Sequence, residues 1–379
     1  MAIIVAVPRA IEALEREFSA WLGVSESIAT GYGRSAALLA VQALRRMTDE
    51  KAGTCEVLVP DLICRQIPEA VRLDGAAARY YPVPRDLVIR AEHLRTCVGP
   101  QTRAVIVPHY FGRVQAFLAD VARTCRELGV VLIEDCALAL GARAADGSLA
   151  GTHGDLAIFS FTKSDWCYGG GLLTVRHPRW AEQARSLVRE RFASAGRSAW
   201  AYGLLRRADF ASNRPSRARA GEFAGRWLER ACGMSARGFF DSASLTDGMS
   251  WAAARRARWL LRELPATIAG RRQVLTAVRE ALGDTGLLFR PTLDPGDAGS
   301  FLLLHASTGA AAQWRELAAE ADVTLRLVWP AYQALEAADG SADLSWFAEH
   351  LLYMEIHPEL SAREVAGIVR VLKRLEHSA

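Results

Sequence analysis

The stretch LGVVLIEDCALALGA (128–142), followed by GTHGDLAIFSFTK (151–163), decides how this chain folds. Gly129 closes the helical pattern AFLADVARTCRELG (116–129), and the apolar run VVLIED (130–135) begins at once. Such a run, bounded by a glycine and two acids, is a buried strand. Glu134 and Asp135 at its end must face a site, a partner or solvent, because a carboxylate is costly to desolvate without a matching cation. The next strand, DLAIFSF (155–161), carries Ser160 and leads into Lys163, then into the glycines Gly169, Gly170 and Gly171. A lysine in that place is either a surface side chain covering apolar neighbours or a desolvated amine with a lowered pKa. The second kind is the residue type that forms a Schiff base.

Working outward, CEVLVP (55–60), RAVIVPHY (103–110) and GLLTVR (171–176) read as further strands, and IPEAVRLDG (67–75) as a helix closed by Gly75. Short β-branched runs alternating with helices predict a mostly parallel sheet flanked by helices. Ligands of such sheets sit beyond the carboxyl ends of the strands. After about residue 177 the chain turns arginine-rich and helical, with Trp180, Trp200 and Trp227, and SNRPSRARAGEF (212–223) has loop composition. A basic segment of this kind is solvated surface or touches an acidic partner or membrane surface. Then comes a long helical pattern, 249–282, interrupted at Pro265, with strand signals at FLLLHAS (301–307), VTLRLVW (323–329) and LLYMEIH (351–357). A closing helix, SAREVAGIVRVLKRL (361–375), completes a smaller α+β domain. The expected division is a large α/β domain, 1–245, and a small C-terminal α+β domain, 246–379.

The turn GYGRS (31–35) opens the amphipathic helix SAALLAVQALRRM (35–47). It nominally fits the dinucleotide fingerprint GxGxxA, but SESIAT before it is a poor strand and no acid ends the following strand. GRSAA (33–37) is one residue away from the GxSxG nucleophile elbow, and the same weak strand argues against that reading. Helix-start physics offers a third. Gly33 permits close backbone approach, the free N–H groups beyond it face an anion, Ser35 adds a hydroxyl and Arg34 a charge. The alternative is a plain N-cap by Ser35.

Composition bounds the rest. The chain has 379 residues, 51% of them hydrophobic and 23% charged, which supports a large core and excludes a mainly disordered chain. The net charge of +4 is too small an excess to call for nucleic acid, since a phosphate footprint needs clustered charge rather than a total. Seven cysteines, scattered and without CxxC spacing, predict reduced thiols and a cytoplasmic protein. The eight histidines lack metal-binding spacing, so no metal site is expected. MAIIVAVPRA (1–10) lacks the basic region of a signal peptide, and no window is apolar enough to span a bilayer.

Together, an anion cradle, an aspartate ending a strand and a lysine ending the next fit a pyridoxal 5'-phosphate site. The aspartate holds the pyridine nitrogen protonated, the lysine carries the cofactor and moves protons, and the cradle holds the phosphate.

The same segments resemble the DegT/DnrJ/EryC1/StrS family of pyridoxal-phosphate sugar aminotransferases. GRSAALLAVQAL (33–44) resembles its phosphate-binding turn, VLVPDLICRQIPEAV (57–71) and VIVPHYFG (105–112) its next strands. LGVVLIEDCALALGA (128–142) resembles its aspartate strand, and GTHGDLAIFSFTKSDWCYGGGLLTV (151–175) its Schiff-base segment. MSWAAARRARWLLREL (249–264), VWPAYQAL (328–335) and LLYMEIHPELS (351–361) resemble the small domain, while 177–245 matches poorly. The resemblance implies the type I (aspartate aminotransferase-like) fold, a homodimer and amino transfer from a glutamate-like donor. The acceptor would be a keto or aldehyde group of a sugar, cyclitol or related biosynthetic intermediate, nucleotide-linked or not. It makes Lys163 the Schiff-base lysine and Asp135 the pyridinium partner, with Gly33, Arg34, Ser35 and Ser160 at the phosphate. His357 falls on a His-Pro motif read as structural, and Tyr110 and Trp329 are pocket-lining or core aromatics.

Departures from the family pattern lie at the ring. Leu138 stands where members carry a glutamine or histidine, and Cys64 where they carry a stacking aromatic. Thr246 and Gly248 replace an asparagine and an arginine that in the family reach the neighbouring subunit's cofactor phosphate. Two other readings stay open at this level: a lyase, dehydratase or condensing enzyme using the same cofactor, and a catalytically silent member acting as a binding partner.

Overall fold

The computed structural model describes residues 2–48, 55–164, 167, 169–192, 245–283, 285–289, 294–306, 309–329 and 342–376. Most of the basic stretch, including the expected loop 212–223, lies outside the described residues, as does Pro330 onward in VWPAYQAL.

Seven strands form one sheet in the order β1-β7-β6-β5-β4-β2-β3. Its parallel centre runs through β4 (Thr102–Pro108), β5 (Val131–Asp135) and β6 (Leu156–Ser160), flanked by β2 (Glu56–Pro60) and β3 (Ala77–Tyr81). Every residue of β6 is buried, which explains its uninterrupted apolar reading. β7 (Gly171–Val175) returns antiparallel to β6, and β1 (Glu26–Thr30) pairs antiparallel with β7.

SESIAT is thus a strand after all. Its weak intrinsic preference is overridden by pairing along β7 and by burial of Ser27 to Thr30, the usual way tertiary context overrules β propensity. The carboxylate of Glu15, on helix α1 (Ala2–Leu22), accepts the Ala29 N–H at 2.7 Å, which caps a backbone donor near this sheet edge.

Helices α2 (Gly33–Thr48), α3 (Gln66–Leu73) and α6 (Pro178–Arg191) pack their apolar faces on one side of the sheet. α4 (Ala91–Cys97), α5 (Leu118–Glu127) and parts of the C-terminal region cover the other. α7 (Trp251–Leu282) starts at Ser250, whose hydroxyl accepts the Ala253 N–H at 3.1 Å, and runs through Pro265 without a break. Proline removes only the hydrogen bond to the Leu261 carbonyl, and it sits on the exposed side of the helix, where solvent can take that acceptor. Packing against α1 holds the two halves in line.

A second sheet, antiparallel in the order β8-β10-β9, follows. β8 (Phe301–His305) and β10 (Leu351–Glu355) match the sequence signals, whereas β9 shrinks to Arg326–Leu327. Helices α8 (Ala311–Glu320), α9 (Ala342–His350) and α10 (Ala362–Glu376) accompany this sheet, and α8 and α10 share its own core with the distal half of α7.

Candidate active site

The carboxyl ends of β5 and β6 and the N-terminus of α2 meet at one edge of the large sheet. Glycines make this possible. A Cβ on Gly33 would lie 2.9 Å from the Ser160 Cβ, and one on Gly171 would lie 2.2 Å from the Tyr32 carbonyl oxygen. The start of β7 therefore docks backbone to backbone on the 31–33 turn. Gly170 donates its N–H to the Gly31 carbonyl at 2.6 Å, with Gly170 at φ +105°, a conformation suited to glycine. The Gly31 N–H in turn donates to the Asp247 carbonyl at 2.7 Å. Thr246 and Gly248 thus flank a residue that braces the turn within this chain, and neither offers a cation.

At the anion end, Ser35 is fully buried and its hydroxyl makes no hydrogen bond among the described residues. A buried hydroxyl in that state is costly unless a ligand engages it. Arg34 is buried too, its guanidinium 4.9 Å from the Tyr32 ring centroid. Ser160 Oγ lies 3.1 Å from Thr162 Oγ1. A helix N-terminus, an unengaged hydroxyl and a guanidinium fit a phosphate group.

At the ring end, Asp135 Oδ1 accepts the Ala137 N–H at 3.0 Å. Burial pushes the Asp135 carboxyl above its ordinary value, and the Ala137 N–H, His109 and Lys163 pull only part of the way back. A cation beside it would favour its ionised form, as a protonated pyridine ring would. Lys163 ends the single turn Phe161–Lys163 and is exposed, not desolvated as one sequence reading had it. The turn lifts the side chain off the buried strand. Cys64, past the end of β2, and Leu138 are half-buried, and Leu138 packs on the apolar cluster around Leu58 and Tyr110.

Tyr110 is committed to the framework. Its hydroxyl donates to the Leu62 carbonyl at 2.6 Å, and burial pushes its pKa well up. Trp329 packs on Tyr110 and Phe111, with ring centroids 6.2 and 5.6 Å away. Tyr110 also borders a cavity of about 530 Å³ shared with Arg113, Arg143 and Asp297, which Asp135 and Lys163 do not line. His357 is buried after β10, and its neighbour Pro358 fills the space that Gly270 of α7 leaves open, at 2.8 Å from a Cβ built there.

Glu134 faces neither site nor solvent. It is fully buried, and its two oxygens take hydrogen bonds from His109 Nε2 at 2.8 Å, from the Gly151 and His153 N–H groups at 2.7 Å each, and from the Gly154 N–H. Sequence reasoning missed this role, though the glycines of GTHG were its signal. His109, Glu134 and Cys136 stand close enough to share a metal ion. The carboxylate is already saturated with donors, and burial, with Glu134 and Asp135 beside it, pushes the Cys136 thiol well up and keeps it protonated. That donor set suits hydrogen bonding better than metal ligation.

A carboxylate ending one parallel strand, a lysine just past the next and a glycine-opened helix on the same sheet edge define a pyridoxal-phosphate transferase of fold type I. Residues 5–203 match the DegT/DnrJ/EryC1/StrS aminotransferase family. The chain belongs to that family and is a pyridoxal-phosphate-dependent aminotransferase. It is 30% identical to dTDP-4-dehydro-2,3,6-trideoxy-D-glucose 4-aminotransferase of Saccharopolyspora spinosa, over 76% of this chain and 67% of that protein. It is also 30% identical to dTDP-3-amino-3,4,6-trideoxy-alpha-D-glucose transaminase of Micromonospora megalomicea subsp. nigra, over 48% of each chain. In structure it resembles the aminotransferase TlmJ from Streptoalloteichus hindustanus, with a TM-score of 0.73 at 22% identity, covering 97% of this chain and 91% of that one.

Proposed function

We propose that this enzyme moves an amino group from a glutamate-like donor to a keto or aldehyde carbon of a nucleotide-linked sugar or related biosynthetic intermediate. The observation that carries the reading is the meeting of Asp135, Lys163 and the Gly33–Ser35 turn at one sheet edge, in a chain whose relatives aminate dTDP-sugars by name. When bound, pyridoxal phosphate supplies an electron sink for carbanion chemistry. Lys163 would hold the cofactor covalently at rest and, once its amine is released, would carry the proton that amino transfer moves. Asp135 would accept a hydrogen bond from a protonated ring nitrogen, a cationic partner that would favour its ionised form against the pull of burial. Ser35, Arg34 and Ser160 hold the phosphate, and Gly33 lets it approach the backbone. Cys64 and Leu138 would offer the ring neither a stacking surface nor a hydrogen bond. The working unit is a homodimer, with the chain divided near residue 245 into cofactor and closing domains.

The test is the visible absorbance of the protein with added pyridoxal phosphate, beside Lys163→Ala. The wild type gains a long-wavelength band that the variant lacks, and glutamate bleaches it with release of 2-oxoglutarate. Bleaching without keto-acid release would replace amino transfer by lyase or condensing chemistry. No band in either protein would leave a binding partner in place of an enzyme.

A further inference from the structure

Glu134 lies outside the cofactor site, yet its carboxylate accepts four hydrogen bonds. It sits one residue before Asp135 on β5, with its side chain on the opposite face of the strand. Its four donors come from two other segments: His109, just past β4, and the 151–154 loop that enters β6. The loop is shaped for the contact. Gly151 holds φ +91°, and a Cβ there would lie 2.6 Å from the Phe159 ring. A Cβ on Gly154 would lie 2.9 Å from the carbonyls of Leu132 and Leu156 and 3.2 Å from Glu134 Cγ.

The proton inventory is fixed by the same bonds. The Gln115 N–H points at His109 Nδ1, 3.3 Å away, so Nδ1 is the acceptor and Nε2 carries the proton it donates to Glu134. Burial alone would raise the Glu134 carboxyl. The hydrogen bond from His109 and the N–H groups of Gly154 and Gly151 outweigh it, and the group stays below its ordinary value and ionised. A charged acceptor holding three backbone N–H groups is a stiff knot, since charge-assisted hydrogen bonds are about twice as strong as neutral ones. The backbone around it is pinned to match: the His109 N–H donates to the Asp135 carbonyl at 3.0 Å, and the Cys136 N–H to the Ile158 carbonyl at 2.9 Å.

We propose that Glu134, held by His109, is a positioning residue for the amino-transfer reaction. It sets the start of β6 against the ends of β4 and β5, and so fixes Ser160 and Lys163, further along β6 and its turn, relative to Asp135. The proposal rests on the cofactor reading given above. Its consequence is kinetic, because a misplacement of about 1 Å at reacting groups costs about 10²-fold in rate.

The test compares Glu134→Ala with His109→Leu and His109→Gln in the full chain. Gln keeps a donor near the position of Nε2, and Leu removes it. Glu134→Ala and His109→Leu are expected to lose about 10²-fold in kcat with little change in KM, and His109→Gln to recover most of the loss. In the same two variants the pH midpoint of the bound-cofactor absorbance shifts. Amides of residues 157–160 exchange with solvent faster even before cofactor is added. A Glu134→Ala protein with wild-type kcat, midpoint and exchange, and only a lower melting temperature, would overturn the proposal. If Glu134→Ala does not fold, the histidine pair decides, and equal behaviour of Leu and Gln there would overturn it as well. If the wild type shows no cofactor band, the cofactor reading fails, and the exchange rates alone decide whether Glu134 positions β6.

Discussion

The two ends of the site are built in opposite ways. The anion end is dense: Arg34 and Ser35 are buried at a helix start, Gly33 admits Ser160, and Gly171 locks the turn from behind. The ring end is sparse. On the proposed reading it has, beyond Asp135 and Lys163, only Cys64 and Leu138, one too small to stack and the other unable to hydrogen-bond. The difference locates the binding energy. If the cofactor binds as proposed, charge-assisted contacts at the phosphate would hold it, and the ring would be left to a single buried carboxylate and the lysine.

The sharpest way to break this contrast is Asp135→Asn. With so few ring contacts, loss of the charge is expected to cost about 10²-fold in kcat, as for removing one partner of a buried charge pair. A loss below about threefold would mean that other groups hold the ring. Next come Arg34→Ala and Ser35→Ala, each expected to weaken pyridoxal phosphate binding about tenfold by spectrophotometric titration, the scale of a hydrogen bond to a charged group. Pyridoxal, which lacks the phosphate, should bind both variants as it binds the wild type. If it weakens equally, the anion end is wrongly placed.

Cys64→Tyr probes the sparse end from the other direction. An added aromatic is expected to tighten cofactor binding by about three- to tenfold, the worth of one ring contact. No gain would mean that the ring end is already filled from elsewhere. The smallest effect concerns pH. The Glu134 carboxyl lies below its ordinary value of 4.5 in the fold, so its charge contributes stability above that pH and loses it as pH falls. The melting-temperature gap between wild type and Glu134→Gln should therefore be widest near neutrality and shrink below about pH 4.5. A gap that holds constant in acid would show that Glu134 is not ionised in the fold.

Much of the fold was legible in the chain because the central strands are buried on both faces and read as continuous apolar runs between helices. Where pairing or packing decided, the reading failed. Glu26–Thr30 is a strand only because β7 lies beside it, Pro265 is carried inside a helix by what packs around it, and the third small strand survives for two residues. The candidate site was legible as residue types: an acid ending one strand, a lysine past the next, a glycine turn before a helix. The use made of Glu134 was not, because its partners lie on a different strand end and in a loop.

Local pattern therefore determined the elements, their order and the chemical types gathered at the strand ends, since hydrophobic periodicity and turn residues act over a few positions. Only the tertiary structure decided that Lys163 stands exposed on its turn, that the Ser35 hydroxyl is buried without a protein acceptor among the described residues, and that Glu134 ties three segments together. Burial and hydrogen-bond satisfaction depend on what arrives from elsewhere in the chain, and no local spacing carries that information.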